Sequence, residues 1–131
     1  MDRPTIAELR VSALFDGIAD AELEQITDWF ERRDVDSGET LAREGASGYA
    51  FTVLGTATAR VSHGEETVRE LGPGDWFGEG AILGSGRRTA TVTAATPGTV
   101  WVLFGTRFRE LGQRFPEQQA LIESVFADRQ D

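Results

Sequence analysis

The stretch FGEGAILGSGRRTATV, residues 77–92, decides how this chain is interpreted. It contains a carboxylate, Glu79, and a guanidinium, Arg88, nine residues apart, with glycines at both ends of the interval. Arg88 presents a planar fork of donors that matches two phosphate oxygens at once. Glu79 only accepts hydrogen bonds when ionised and would repel a phosphate, so hydroxyl groups such as those of a ribose are its natural partners. The pair suits a ligand with phosphate on one side and sugar on the other.

The glycines of this stretch favour close contact between backbone and ligand. Gly78 and Gly80 carry no Cβ, so N–H groups there can approach a ligand closely. The run Ala81-Ile82-Leu83 predicts a short helical turn, and the amides at its start favour an anion. A glutamate and an arginine at this spacing are equally typical of an exposed ion pair worth about 0–1 kcal/mol, and glycine-rich stretches are often plain loops. The rest of the chain must decide between the two interpretations.

Further segments along almost the whole chain resemble the cyclic nucleotide-binding domain family, in which residues 77–92 correspond to the phosphate-binding cassette. The matching segments are Leu14–Ile18 with Ala21–Leu23, Ser37–Glu39 with Arg43–Gly45, Gly72–Glu79, and Arg88–Val92. The resemblance implies a mainly β fold, an antiparallel β-roll (a double-stranded β-helix, or jelly roll) with flanking α-helices. A single domain would fill residues 1–131, with N-terminal helices in 1–30, the roll in 31–104 and C-terminal helices in 105–131.

The same resemblance assigns roles to residues of the site. Glu79 would bind the ribose 2′-hydroxyl, and Arg88 the exocyclic phosphate oxygens. Beside Gly78, the cradle would be completed by the amides of Gly80, Ala81 and Thr89; Val61 and Leu71 would line the base, and Ile122 and Phe126 are the candidates for a lid. A threonine directly after the arginine resembles cGMP-selective members, but many cAMP-binding members also have a hydroxyl residue there. We expect cAMP ahead of cGMP and leave the choice open.

Three features depart from the family's pattern. Gly80 stands where the family usually has an apolar residue, often leucine, and is expected to loosen the cassette and remove a packing contact. The bridge Gly84-Ser85-Gly86 makes the loop before the arginine unusually flexible, and ordering it costs roughly 1–2 kcal/mol per residue in backbone entropy. Arg87 is expected to be a solvated surface side chain. Weak affinity is therefore expected.

Composition excludes several functional classes. The chain has 131 residues, enough for one core, and no cysteine, which excludes disulfides and thiolate chemistry. A net charge of −9 disfavours the clustered positive charge that nucleic-acid binding needs. No run approaches the roughly 20 apolar residues of a membrane-spanning helix, and the N-terminus is unlike a signal peptide. We expect a cytoplasmic, stand-alone domain with no membrane or nucleic-acid partner.

Periodicity predicts helices at both ends of the chain and strands between them. Short β-rich runs separated by turns are typical of an antiparallel barrel or jelly roll. The predicted strands are Tyr49–Leu54, Thr56–Ser62, Thr67–Leu71, Ala90–Ala94 and Thr99–Phe104, with a hairpin turn at His63–Glu65. Helices are predicted from Asp20, as cap, to Phe30, from Thr106, as cap, through Leu111, and over Glu117–Ala127 after Pro116 in the first position.

The chain lacks the residues that several other functions require, and one alternative function remains open. A dinucleotide fingerprint lacks its βαβ context, and a P-loop is excluded because the chain has no lysine. A metal-dependent jelly-roll enzyme needs several histidines, and the single His63 is expected to be a plain surface residue. We therefore expect no metal, no cofactor and no catalysis. The open alternative is a degenerate module with a silent pocket that serves protein–protein contact. In either case an effector protein or a homodimer would carry the signal.

Overall fold

Two four-stranded antiparallel sheets form the centre of the fold in the computed structural model, which describes residues 3–84 and 86–129. One sheet has the strand order β1-β8-β3-β6 and the other the order β2-β7-β4-β5. The strands are β1 Glu31–Val35, β2 Thr40–Ala42, β3 Ala50–Leu54, β4 Ala59–His63, β5 Glu66–Leu71, β6 Trp76–Phe77, β7 Thr91–Ala94 and β8 Gly98–Phe104. The expected mainly β roll with flanking helices is confirmed.

Three of these strands, β1, β2 and β6, are absent from the strand predictions made from periodicity. Four of the five residues of β1 are exposed and most are charged, so no apolar alternation marks it. Its pairing with β8, from Glu31 opposite Val102 to Val35 opposite Gly98, makes it a strand. The predicted hairpin turn is confirmed, because β4 ends at His63 and β5 begins at Glu66.

Helices enclose one side of the roll. They are α1 Ile6–Leu9, α2 Asp20–Ile26, α3 Glu79–Leu83, α4 Gly105–Arg114 and α5 Pro116–Asp128, with short 3-10 turns at Ala13–Phe15 and Thr27–Trp29. Within the described residues, none of the helices combines the length and apolar composition that crossing a membrane requires.

Two of the predicted helix caps are wrong. Ala19 is the N-cap residue of α2, and the carboxylate of Asp20 instead accepts a hydrogen bond from Arg10 at 2.5 Å. The N-cap position of α4 belongs to Phe104, so Thr106 lies inside the first turn without capping it. Pro116 does occupy the first turn of α5 as predicted, where its missing N–H costs no hydrogen bond.

The apolar core has two parts with different roles. The first lies between the helices and the β3–β8 sheet and includes Phe15, Phe51, Trp101 and Phe108, each no more than 1% exposed. The second fills the interior of the roll; its buried members are Val35, Ala42, Leu54, Ala57, Ala59, Leu71, Phe77, Val92, Ala94 and Val100. Helix α3 begins two residues after Phe77 of this second cluster and contacts α5.

Candidate functional site

Gly78 turns the chain from β6 into α3 and thereby places Glu79 inside the roll. Its φ of +99° lies in the left-handed region, which side chains with a Cβ rarely adopt. A Cβ at this position would also lie 2.4 Å from the carbonyl oxygen of Ala50 and 2.7 Å from Nη1 of Arg88. The predicted helical turn at residues 81–83 is confirmed as the end of α3.

Glu79 is the most buried charged residue of the site, with only 3% of its surface exposed. Its Oε1 accepts a hydrogen bond from Nη1 of Arg129 at 2.6 Å. Its Oε2 is buried and has no hydrogen-bond partner among residues 3–84 and 86–129. A buried, unpaired polar atom costs about 1–3 kcal/mol, more when charged, so a donor that reached Oε2 would remove this cost.

Arg88 is held by its backbone at the edge of the same cavity. Its N–H donates to the carbonyl of Ala46 at 2.8 Å, and its own carbonyl accepts from the N–H of Gly45 at 2.8 Å. The guanidinium then runs across Gly48, where a Cβ would lie 2.2 Å from Nε, and donates to the carbonyl of Ala50 at 3.2 Å. Gly48 and Gly78 together form a slot that only the absence of side chains leaves open.

The electrostatics of Arg88 are those of a partly desolvated cation. Burial lowers the pKa of the Arg88 guanidinium, and the negative charge of Glu79 opposes that shift. Arginine nevertheless stays protonated in the neutral range because its ordinary pKa is so high. The side chain is therefore a positive charge that has lost part of its hydration, which an anionic ligand would compensate.

A cavity of about 80 Å³ joins these groups. That is several times the roughly 10–15 Å³ that one water molecule requires, so the space is more than a packing defect. Its walls come from the roll, the cassette and α5; the lining residues are Ala42, Val61, His63, Val68, Arg69, Phe77, Gly78, Glu79, Gly80, Ala81, Arg88, Thr89, Ala90, Val92, Phe126 and Arg129. Glu79 is the sole carboxylate among these lining residues.

Most of the residues that the sequence assigns to the site lie around this cavity, and two do not. Leu71, expected to line the base, is 5% exposed and packs inside the roll, where its partner in the β4–β5 pair, Ala59, belongs to the same core cluster. Ile122, expected as a lid residue, is 1% exposed and belongs to the core between the helices and the sheet. Val61 and Phe126 lie at the cavity.

The expectation that Gly80 removes a packing contact needs correction. A Cβ at Gly80 would lie 3.2 Å from Cε1 of Phe126, so the ring of Phe126 occupies the space above this glycine. The contact that a larger side chain would make is supplied from α5 instead. Arg87 is exposed as expected and donates to the carbonyl of Gly45 at 3.2 Å. Ser85, in the bridge expected to be flexible, lies outside the described residues.

The sequence analysis did not assign several residues to the site, and four of them bear on its chemistry. Arg129 at the end of α5 looks like an ordinary exposed charge, and Gly48 is one of many glycines between strands. Arg69 lies two residues before Leu71 on β5 and therefore shares its inward face. The period of two along the strand could have indicated this position. His63, expected as a plain surface residue, is exposed but also lines the cavity, with Nδ1 3.9 Å from a carboxylate oxygen of Glu44.

The two sheets and the cavity define a β-roll domain with a small internal cavity. Residues 32–115 match the family model described as "Cyclic nucleotide-binding domain", so the chain belongs to that family. It is 33% identical over 105 residues to a cAMP-dependent protein kinase regulatory subunit of Colletotrichum orbiculare, covering 79% of this chain and 27% of that protein. It is 34% identical over 92 residues to the cGMP-dependent protein kinase egl-4 of Caenorhabditis briggsae, covering 66% and 12%.

The fold comparison agrees with the sequence comparison. The crystal structure of the catabolite activator protein of Thermus thermophilus superposes with a TM-score of 0.79 at 28% identity, covering 90% of this chain and 58% of that chain. The chain thus spans about a quarter or less of the length of the two kinase relatives and just over half of the bacterial one. The similarity to these relatives is therefore limited to part of their length.

Proposed function

We propose that the chain is a regulatory module that binds a cyclic nucleotide, cAMP or cGMP, in the cavity between the cassette and α5. The observation that carries this proposal is the convergence of Glu79 and Arg88 on one cavity, each incompletely paired. A buried acceptor and a desolvated cation are costly to keep without a ligand. A cyclic sugar phosphate brings a hydroxyl for the first and an anionic oxygen for the second.

The phosphate side of the site combines a side chain with free amides. Arg88 offers its remaining guanidinium donors, since one of them already serves the carbonyl of Ala50. Gly80 and Ala81 lie in the first turn of α3, where backbone N–H groups have no acceptor within the helix. Thr89 adds a hydroxyl at the same rim. These donors match a phosphodiester that has one negative charge and two free oxygens.

The ribose side depends on the unpaired oxygen of Glu79. Because Oε1 is engaged by Arg129, a ribose 2′-hydroxyl would donate to Oε2. Val61 and Val92 present apolar surface on the strands beyond, and Phe126 lies on the α5 side, so a base would lie between apolar groups. The polar contacts therefore fix the sugar phosphate and the apolar contacts hold the base.

Signal transmission would pass through α5, because this helix supplies part of the cavity wall. Phe126 contacts the space above Gly80, and Arg129 binds Glu79, so an occupant touches the last turn of the helix directly. A ligand shifts a conformational equilibrium only by its difference in affinity for the two states. The module would act without catalysis, in the cytoplasm, on an effector protein or a second copy of itself. The net charge of −9 argues against nucleic acid as that partner.

Isothermal titration of the purified chain with cAMP and cGMP in parallel tests this proposal. We expect one or both to bind with 1:1 stoichiometry and to raise the thermal unfolding midpoint. The linear nucleotides 5′-AMP and 5′-GMP serve as matched controls, since each carries a second phosphate charge and lacks the cyclic phosphodiester. Absence of heat with both cyclic nucleotides at high micromolar concentration would put the silent interaction module in first place.

A further inference from the structure

Arg129 contributes a charge to the cavity from outside the roll. It is the C-cap residue of α5, and its side chain is 19% exposed while that of Glu79 is 4% exposed. The cation lies at the C-terminal end of a 13-residue helix, where the helix dipole favours it. Exposed ion pairs contribute little, but in this pair both groups are largely removed from water. The contact therefore depends strongly on α5 being closed over the roll.

The charge balance of the cavity depends on this residue. Without Arg129, the carboxylate of Glu79 would have Arg88 as its partner across the cavity, an interaction already felt by Arg88. Glu79 would then weaken the hold of Arg88 on an anion and would itself repel a phosphate. With Arg129 on Oε1, the charge of Glu79 is compensated by a residue other than Arg88, and Oε2 is left without a partner among the described residues.

We propose that Arg129 is a positioning residue of the ligand site: it neutralises and orients Glu79 so that Arg88 is free for an anionic ligand and Oε2 for a hydroxyl. This inference rests on the proposed function and adds a residue to it. It also predicts the state that binds the ligand, namely the state with α5 closed. A ligand that needs the Arg129–Glu79 pair stabilises the closed helix by the same free energy with which the closed helix stabilises the ligand.

In the opposite role, Arg129 is a plug that the ligand must displace. This role predicts the opposite change in ligand affinity when Arg129 is removed. A plug competes with the ribose, so its removal raises affinity. A positioning residue lowers affinity when it is removed. The structure favours positioning because Arg129 occupies one oxygen of Glu79 and leaves the other, which is the acceptor that a hydroxyl requires, without a partner among the described residues.

The test is a double-mutant cycle in ligand affinity, with titration of cAMP and cGMP into the full chain. We expect Arg129→Ala to weaken binding by about tenfold to a hundredfold, the range of a lost charge-assisted contact. In the Glu79→Gln background the same substitution should change affinity by less than about threefold, because no charge remains to be neutralised. Arg129→Lys keeps the charge and should restore part of the loss.

A second readout separates positioning from general destabilisation. The parent should bind 2′-deoxy-cAMP more weakly than cAMP, and Arg129→Ala should reduce that preference, since Glu79 is no longer held toward the hydroxyl. The matched control is Arg107→Ala, which removes an arginine from a surface ion pair with Glu110 and should leave binding unchanged. Urea unfolding establishes that every variant is folded.

The outcomes distinguish the two proposals. If the parent binds neither cyclic nucleotide, the proposed function is wrong and this inference falls with it. If the parent binds and Arg129→Ala binds equally well or more tightly, the proposed function stands and the positioning role of Arg129 is overturned. An equal loss in the parent and Glu79→Gln backgrounds would also overturn it, because Arg129 would then act independently of Glu79.

Discussion

Phe126 of α5 lies directly over Gly80 of α3: a Cβ placed on Gly80 would be 3.2 Å from Cε1 of the ring. This contact joins the cassette to the C-terminal helix at a position where the cassette itself has no side chain. The ring of Phe126 thus fills the space that a side chain at position 80 would occupy. The pair makes Gly80 a determinant of how α5 closes.

The substitution Gly80→Leu is expected to displace the last turn of α5. Leucine adds atoms beyond Cβ where the ring of Phe126 already lies, and the ring must swing away. Hydrogen exchange should therefore become faster in residues 122–129 while the roll keeps its protection.

Gly80→Ala provides the graded control for this prediction. A single Cβ at 3.2 Å needs the ring to shift by only a few tenths of an ångström. Exchange in α5 should then stay close to that of the parent. Unchanged exchange in the leucine variant would mean that Phe126 does not couple the helix to the cassette.

Gly48→Ala is expected to disable the anion site without unfolding the domain. The new Cβ would lie 2.2 Å from Nε and 2.6 Å from Cζ of Arg88, so the guanidinium must leave its slot. Affinity for cyclic nucleotide should fall by about tenfold to a hundredfold, approaching the loss in Arg88→Ala. Titration calorimetry measures the affinity, and circular dichroism melts establish the fold.

The control for this change is Gly72→Ala, since a Cβ at Gly72 would have no atom within 4 Å and its φ is ordinary. That variant should bind like the parent. If Gly48→Ala also binds like the parent, the slot does not position Arg88 for the ligand.

Arg69→Ala is expected to change the preference between the two bases. Arg69 lines the cavity from β5 and supplies donors, which match the O6 and N7 acceptors of guanine better than the N6 donor of adenine. Its removal should lower affinity for cGMP about tenfold more than affinity for cAMP. Competition between the two nucleotides for one labelled ligand measures the ratio directly.

Arg60 provides the matched arginine for that experiment. It lies on β4 next to Val61, is exposed and does not line the cavity, so Arg60→Ala should leave the ratio unchanged. An equal loss of both nucleotides in Arg69→Ala would show that Arg69 acts on charge alone and does not read the base.

Arg88→Met should separate stability from binding. Burial lowers the pKa of Arg88, which means that the unfolded chain holds this proton more tightly and that the cost of the charge is present throughout the neutral range. Methionine keeps the length without the charge, so the unliganded melting temperature should be equal or higher. A ligand at a hundred times its Kd stabilises the parent by about 2.7 kcal/mol, and that increment should vanish in the variant. A lower unliganded melting temperature together with a retained ligand shift would contradict the assignment.

The sequence analysis placed Glu79 and Arg88 together, and both line the cavity. A carboxylate and a guanidinium among glycines indicate a ligand that has both a hydroxyl group and a negative charge. The sequence did not predict how deep inside the roll each inward-facing strand residue lies. Val61 and Leu71 both face inward, but the register of β4 against β5 places Leu71 beside Ala59 in the core and Val61 beside Arg69 at the cavity. A period of two distinguishes the faces of a strand and says nothing about its ends.

Contributions from distant elements were the least predictable. Ile122 and Phe126 are four residues apart and share a face of α5, yet the helix crosses the fold so that one enters the core and the other reaches Gly80. Arg129 follows one turn later and meets a carboxylate that is 50 residues away in the chain. Strand β1 likewise depends on its pairing with β8, because its own residues are mostly charged and exposed.

The crystal structure of the chain grown with cAMP or cGMP tests the central claim most directly. The account predicts one nucleotide in the cavity, with phosphate oxygens within hydrogen-bond distance of Arg88 and a ribose hydroxyl on Oε2 of Glu79. A nucleotide bound elsewhere, or one in the cavity with its phosphate turned away from Arg88, would contradict it.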